Sequence, residues 1–219
     1  MIVSHDKKFI FFHLYKVAGT SIRKSLEKYK SPIITKPHIK PALLKNKIFN
    51  GYEGDKLLKD YFTFSFVRNP WDWQVSLYFF MLRDKGHFQY NIIKNMNFEQ
   101  YLDWRINEDC KPQYMFLSEN EDLVSDINID FIGKYEYLTS DFNKVCDILN
   151  LDSKLPHLNK TNHNKYTSYY NDTTRKMVEE AYKIDIDYFG YNFHNEKIIS
   201  GEDIFDKKKN KIEYDINSL

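Results

Sequence analysis

The chain is predicted to be an α/β protein, a P-loop-like three-layer fold with a central parallel sheet flanked by helices. Three observations predict it. Apolar runs of strand length alternate with stretches of helical period along the chain. Two of those runs, Phe9-Ile-Phe-Phe-His-Leu and Phe62-Thr-Phe-Ser-Phe-Val, pass directly through a short turn into a helical pattern. Each of these two turns also carries residues suited to binding an anion.

Taken in order, the first run reads as a strand near 8–13; after Gly19 the pattern changes to a helix near 20–30, with Ile22 and Leu26 on one face. A further strand near 33–35 and a helix near 40–48 follow, then the second strand near 61–67. Asn69 is a good helix cap and Pro70 a good first helical residue, which starts a helix near 70–84. Its apolar positions Trp71, Val75, Tyr78 and Leu82 are joined by Leu77, Phe80 and Met81, so it is expected to be mostly buried. Helices near 97–107, 141–150 and 172–184 and a strand near 130–134 complete the series. Residues 85–96 and 152–171 are rich in Asn, Lys, His and Tyr without a period and read as long loops that shape an acceptor cleft. Residues 1–195 are expected to form one domain, with 196–219, which carries Lys207-Lys208-Lys209, as an extension packed on it or trailing from it.

Composition narrows the partners. The 32 basic and 31 acidic residues leave a net charge of +1, so no general attraction to nucleic acid or membrane is expected and any positive field must be local. The 17 Tyr, 17 Phe and 3 Trp suit a packed core and also supply stacking surfaces for sugars or adenine. Cys110 and Cys146 lie far apart with no CxxC spacing, which points to neither a zinc site nor a disulfide framework and fits a reducing compartment. The stretch before the first strand is too short and interrupted for a signal peptide or membrane span, so a cytoplasmic location without a transmembrane segment is expected.

The first turn presents the backbone N–H groups of Val17, Ala18, Gly19, Thr20 and Ser21 at a helix start, where donors are unpaired and the helix dipole is positive. Lys16 adds a full charge, the Thr20 and Ser21 hydroxyls add donors, and Gly19 is expected to let the anion approach the backbone. A nucleotide-triphosphate loop would have lysine directly after its last glycine and an acidic metal ligand on a second strand. Here no lysine follows Gly19, and the second strand runs into Arg68. Positive charge stands where a metal site would be, so no metal is expected. Arg68 offers a bidentate fork to a phosphate, and Ser76 supplies one more hydroxyl.

These residues resemble a known family. Lys16-x-Ala-Gly19-Thr20-Ser21 resembles the 5′-phosphosulfate loop of sulfotransferases that use 3′-phosphoadenosine-5′-phosphosulfate (PAPS), and Arg68-Asn-Pro with Ser76 resembles their 3′-phosphate motif. The likeness is greatest to the carbohydrate sulfotransferases of the family 2 group, bacterial type: Phe66 through Asp72, then Val75, Ser76 and Tyr78, follow their pattern. Pro112-Gln113, Phe131-Ile-Gly-Lys-Tyr-Glu136, His157-x-Asn159-x-Thr161 and Tyr188-Phe-Gly-Tyr191 resemble further blocks.

The resemblance implies PAPS as co-substrate, PAP as product, and a hydroxyl of a carbohydrate or glycoconjugate as acceptor. It implies that Lys16 meets the leaving phosphate, and that Lys160 and Thr161 close over the adenine or the 3′-phosphate. For the general base it favours His38, in Lys36-Pro-His-Ile-Lys40, with His13 directly after the first strand as the rival. The family usually has arginine where this chain has Trp73; that tryptophan is expected to pack in the core, stacking on a base being the alternative. Two other functions stay open: a P-loop-like phosphotransferase using ATP and magnesium, and a non-catalytic relative that binds PAP or glycan.

Overall fold

The runs starting at Phe9 and Phe62 lie side by side as parallel strands, the second carrying Thr63 and Ser65 between its phenylalanines, and both runs are covered on both faces. The computed structural model describes residues 1–33, 38–45, 47–120, 123–156 and 164–195. In chain order its elements begin with β1 (Ile2–Ser4), β2 (Phe9–Phe11), α1 (Gly19–Leu26), α2 (Pro41–Leu44), β3 (Ile48–Phe49), β4 (Tyr52–Glu53), α3 (Gly54–Asp60) and β5 (Phe62–Val67). They continue with α4 (Pro70–Arg83), α5 (Tyr90–Ile93), α6 (Phe98–Glu108), β6 (Phe131–Lys134), α7 (Leu138–Leu149), α8 (Asp172–Ala181) and α9 (Lys183–Phe189). Among the described residues the chain separates into two units, 1–67 with 113–156 and 68–112 with 164–195.

The first unit holds the sheet, in the order β1-β2-β5-β6. Phe9 stands opposite Phe62 and Phe64 opposite Phe131, both in parallel register, whereas Ile2 pairs with Phe11 in antiparallel register. The expected parallel sheet therefore has an antiparallel edge. Lys8, at φ 50°, helps turn the chain back after β1, and three residues are too short to show a period in sequence. Phe9, Phe11, Phe64, Phe66 and Phe142 are fully buried. Phe66 faces Gly133 across the β5–β6 pair, and a Cβ on that glycine would fall 2.4 Å from the Phe66 ring.

The second unit is helical. As expected, Asn69 caps α4, its Oδ1 accepting from the Trp71 N–H at 3.0 Å, and Pro70 is the first helical residue. Trp73 has no exposed surface and meets Tyr182 edge-on at 6.2 Å, so the packing expectation holds. The Tyr101 hydroxyl donates to Gln74 Oε1 at 3.1 Å and the Tyr78 hydroxyl to the Met96 carbonyl at 2.8 Å. Both α6 and α8 begin with capping boxes, on Asn97 with Gln100 and on Asn171 with Thr174.

Several expected boundaries change. The helix near 40–48 is only α2, because Lys45 turns extended, and the one near 172–184 breaks at Tyr182 into α8 and α9. The short α3 and α5 and the β3–β4 hairpin had no sequence signal. Ile33 lies in no strand; residues 34–35 and the extension 196–219 fall outside the described residues. None of the described helices is long and apolar enough to cross a membrane.

Candidate functional site

In the first unit β2 carries on past Phe11: the Phe12 N–H donates to the Phe64 carbonyl at 2.9 Å and the Ser65 hydroxyl to the Phe12 carbonyl at 2.8 Å. These bonds fix the root of the turn that follows. Lys16 and Ala18 then adopt left-handed backbone, φ 63° and 61°, conformations that cost a non-glycine residue on the order of 1–2 kcal/mol each. Left-handed residues alternating with ordinary ones gather successive N–H groups into an anion-binding concavity.

Helix α1 starts at Gly19 with no side-chain cap; the Ser21 and Ile22 N–H groups both return to the Ala18 carbonyl, at 2.9 and 3.2 Å. Among the described residues no acceptor meets the N–H groups of Val17, Ala18, Gly19 or Thr20. Thr20 is exposed and Ser21 buried. The expected donor array is thus present as a local structure.

Gly19 is also required by a contact within the protein. Its φ is ordinary, and a Cβ there would fall 1.8 Å from Cδ2 and Nε2 of His13. The glycine makes room for an imidazole, which lies against the first residue of α1.

His13 and His38 come together. The rings are 4.4 Å apart, and the Nδ1 of His38 lies 2.8 Å from the His13 carbonyl. A carbonyl oxygen only accepts, so Nδ1 of His38 carries hydrogen and the lone pair of the neutral ring is at Nε2. His38 is exposed overall, yet its ring is pressed on His13. Burial lowers its pKa, nearby cations including Arg23 add to that, and the bond to the His13 carbonyl works in the opposite direction.

His13 is more enclosed, with its ring stacked on Phe11 at 6.0 Å. Burial, and then the neighbouring His38, take its pKa down to about 3, and its Nδ1 has no partner among the described residues. A ring of such low basicity does not accept a proton near neutrality. The two histidines therefore differ: His13 is enclosed and stays neutral, whereas His38 is exposed.

Beside His38 stands an aromatic wall. Tyr15 meets the His38 ring edge-on at 6.3 Å and Phe116 at 5.1 Å, and the Lys40 ammonium sits 4.5 Å above the Phe116 ring.

In the second unit Arg68 is 4% exposed and its Nε donates to Asp72 Oδ2 at 2.8 Å. The two are four residues apart across the start of α4, and the carboxylate holds the guanidinium by one edge. Asp72 was read only as part of a pattern; a carboxylate in the first helical turn near an arginine is the signal that would have found it. Ser76 is buried, and its Oγ has no partner among the described residues. Buried hydroxyls are nearly always bonded, so this one stands out on α4.

Lys160 and Thr161 lie outside the described residues. Among the described residues no group of three or more His, Cys, Asp or Glu is placed to hold a metal ion.

The chain is 30% identical over 115 residues to an uncharacterized protein of Archaeoglobus fulgidus, covering 52% of this chain and 83% of that protein. It is 24% identical over 242 aligned positions to carbohydrate sulfotransferase 11 of Mus musculus, covering 89% of this chain and 68% of that protein. No solved structure gives a significant match. Residues 1–192 match the sulfotransferase family, and on that extent the chain belongs to it.

Proposed function

We propose that the protein transfers a sulfuryl group from PAPS to a hydroxyl of a carbohydrate or glycoconjugate. Membership of the sulfotransferase family supports sulfuryl transfer in general, and the carbohydrate acceptor is supported by the likeness to the mouse protein, whose name states that substrate class. The observation that carries the proposal is the turn before α1. Two strained non-glycine residues there hold a row of unpaired N–H groups beside Lys16, an arrangement that makes sense for an anion and for little else.

The residues present fit such a donor. The N–H groups of residues 17–20 and the Lys16 ammonium are assigned to its 5′-phosphosulfate end. Arg68 and the orphaned Ser76 hydroxyl are assigned to the 3′-phosphate. The donor, when bound, supplies a sulfuryl group on a phosphate leaving group. Nε2 of His38 takes the proton of the acceptor hydroxyl as its oxygen bonds to sulfur and the sulfur–oxygen bond to phosphate breaks. Lys16 then compensates the charge left on the phosphate oxygen. Tyr15 and Phe116, next to His38, offer ring faces of the kind that pack on the C–H side of a sugar. A reducing, cytoplasmic compartment belongs to the same reading, in keeping with two free cysteines.

Calorimetric titration with PAP in the presence of a chelator tests the donor, and radiolabelled donor with a panel of glycans tests the acceptor. Binding of PAP that Lys16→Ala and Arg68→Ala both abolish, with label transferred to a glycan hydroxyl, is the expected result. Binding of ATP with magnesium but not of PAP overturns it in favour of phosphoryl transfer. Binding of PAP without transfer to any glycan makes the chain a binding protein.

A further inference from the structure

The second unit contains an open groove of about 720 Å³ that plays no part in the chemistry above. It lies within the size range of ligand sites, roughly 300–1,000 Å³. Its long wall is one face of α6. The opposite face of that helix, with Tyr101, Leu102 and Arg105, is buried, while Glu99, Gln100, Asp103 and Trp104 project into the groove in two rows spaced by one helical turn. Ile92, Met96 and Met177 complete the apolar part of the lining.

Trp104 is only half-buried, its indole N–H has no acceptor among the described residues, and one contact, with the Tyr101 ring at 6.3 Å, backs it. Glu99 and Asp103 are exposed and four residues apart on one helix, a like-charge pair that disfavours the helix, and neither is in an ion pair among the described residues. The frame beneath is fixed: the Asn97–Gln100 capping box starts α6, and the Tyr78 hydroxyl holds the Met96 carbonyl.

We propose that this groove binds an uncharged saccharide. The chemistry of the lining selects it. An indole face with aliphatic neighbours packs on the C–H face of a pyranose ring. Two carboxylates and the amides of Asn95 and Gln100 accept from, and the amides also donate to, the hydroxyls around the ring edge. No lysine or arginine lines the groove, and two carboxylates repel uronate, phosphate and sulfate groups. This deepens the carbohydrate-acceptor reading and rests on it: the groove holds a neutral stretch of the acceptor chain and discriminates against one already rich in anions.

With three tryptophans in the chain, the Trp104 indole resonance is assignable by comparison with Trp104→Phe. The probes are maltohexaose, cellohexaose and the N-acetylglucosamine hexamer, with a galacturonate hexamer as the anionic control. The expected result is a saturable shift of the Trp104 signal by at least one neutral hexamer and none by the galacturonate hexamer. Asp103→Ala, an exposed change that also removes a surface bond from Asn107 Nδ2 at 3.0 Å, weakens that binding about tenfold, the equivalent of one hydrogen bond to a charged group. Silence of the Trp104 signal with all three neutral hexamers, a response to the galacturonate hexamer, or full affinity in Asp103→Ala overturns the proposal. PAP calorimetry on the same sample separates the outcomes: PAP binding with a silent Trp104 removes only the groove, and a responsive Trp104 without PAP binding removes only the donor.

Discussion

The imidazole of His13 occupies the space in which a side chain at Gly19 would begin, with Cδ2 and Nε2 both 1.8 Å from the position of a Cβ. That contact ties the last residues of the β2 segment to the first turn of α1. It also couples the conformation of the turn to the size of the ring.

Gly19→Ala is therefore expected to destabilise the protein by about 1–3 kcal/mol through overpacking. Adding His13→Ala removes the clashing ring, so the double variant is expected to lose less than the sum of the two single changes. Thermal or urea denaturation of the three variants measures this; additive losses would show that residue 19 and the ring are not in contact.

His13 also predicts a stability profile. Its pKa falls from 6.5 to about 3 in the folded protein, so between those values the unfolded chain binds the extra proton and folding is opposed. The contribution is complete above pH 6.5 and is lost as pH falls. From pH 6.5 to 4.5 it amounts to on the order of 2 kcal/mol. His13→Asn is expected to flatten this part of a urea-midpoint profile relative to the parent.

For His38, a lowered pKa and a hydrogen held on Nδ1 leave Nε2 unprotonated at neutral pH. The acidic limb of kcat/KM for acceptor is expected to have its midpoint below 6.5, and His38→Ala to abolish the limb while lowering kcat by about 10²-fold or more. The same limb persisting in His38→Ala would remove the residue from the base role.

Asp72, itself partly exposed, holds one edge of the buried Arg68 guanidinium, so removing it takes away a charged partner. Asp72→Ala is expected to cost about 1–3 kcal/mol in stability. The milder Asp72→Asn is expected to weaken PAP affinity by loosening the guanidinium, which calorimetry detects.

Ser76 separates stability from binding. Its hydroxyl is buried without a partner, so Ser76→Ala is expected to leave the denaturation midpoint unchanged or raised, by up to about 1 kcal/mol, while PAP affinity drops about tenfold. A loss of stability would mean that the hydroxyl is satisfied within the protein.

Much of the framework was legible because it is local. The apolar runs located β2, β5 and β6, and Asn69 with Pro70 placed the start of α4 at its observed residue. The resemblance block around Phe131–Glu136 also has a packing reason, since Gly133 makes room for Phe66 on the neighbouring strand. Where signals were weak or short, as at β1, α3 and the end of α2, boundaries were missed or moved.

By itself, then, the sequence determined the element types, the two helix starts and the residue kinds able to bind an anion, because capping, proline geometry and apolar period act over a few neighbouring positions. Only the tertiary structure decided that Gly19 yields to His13, that the His13 carbonyl sets the tautomer of His38 25 residues away, and that Trp104 fronts a groove. Such contacts depend on how distant segments pack. A packed interior fixes atom positions to fractions of an ångström that no local pattern of residues encodes.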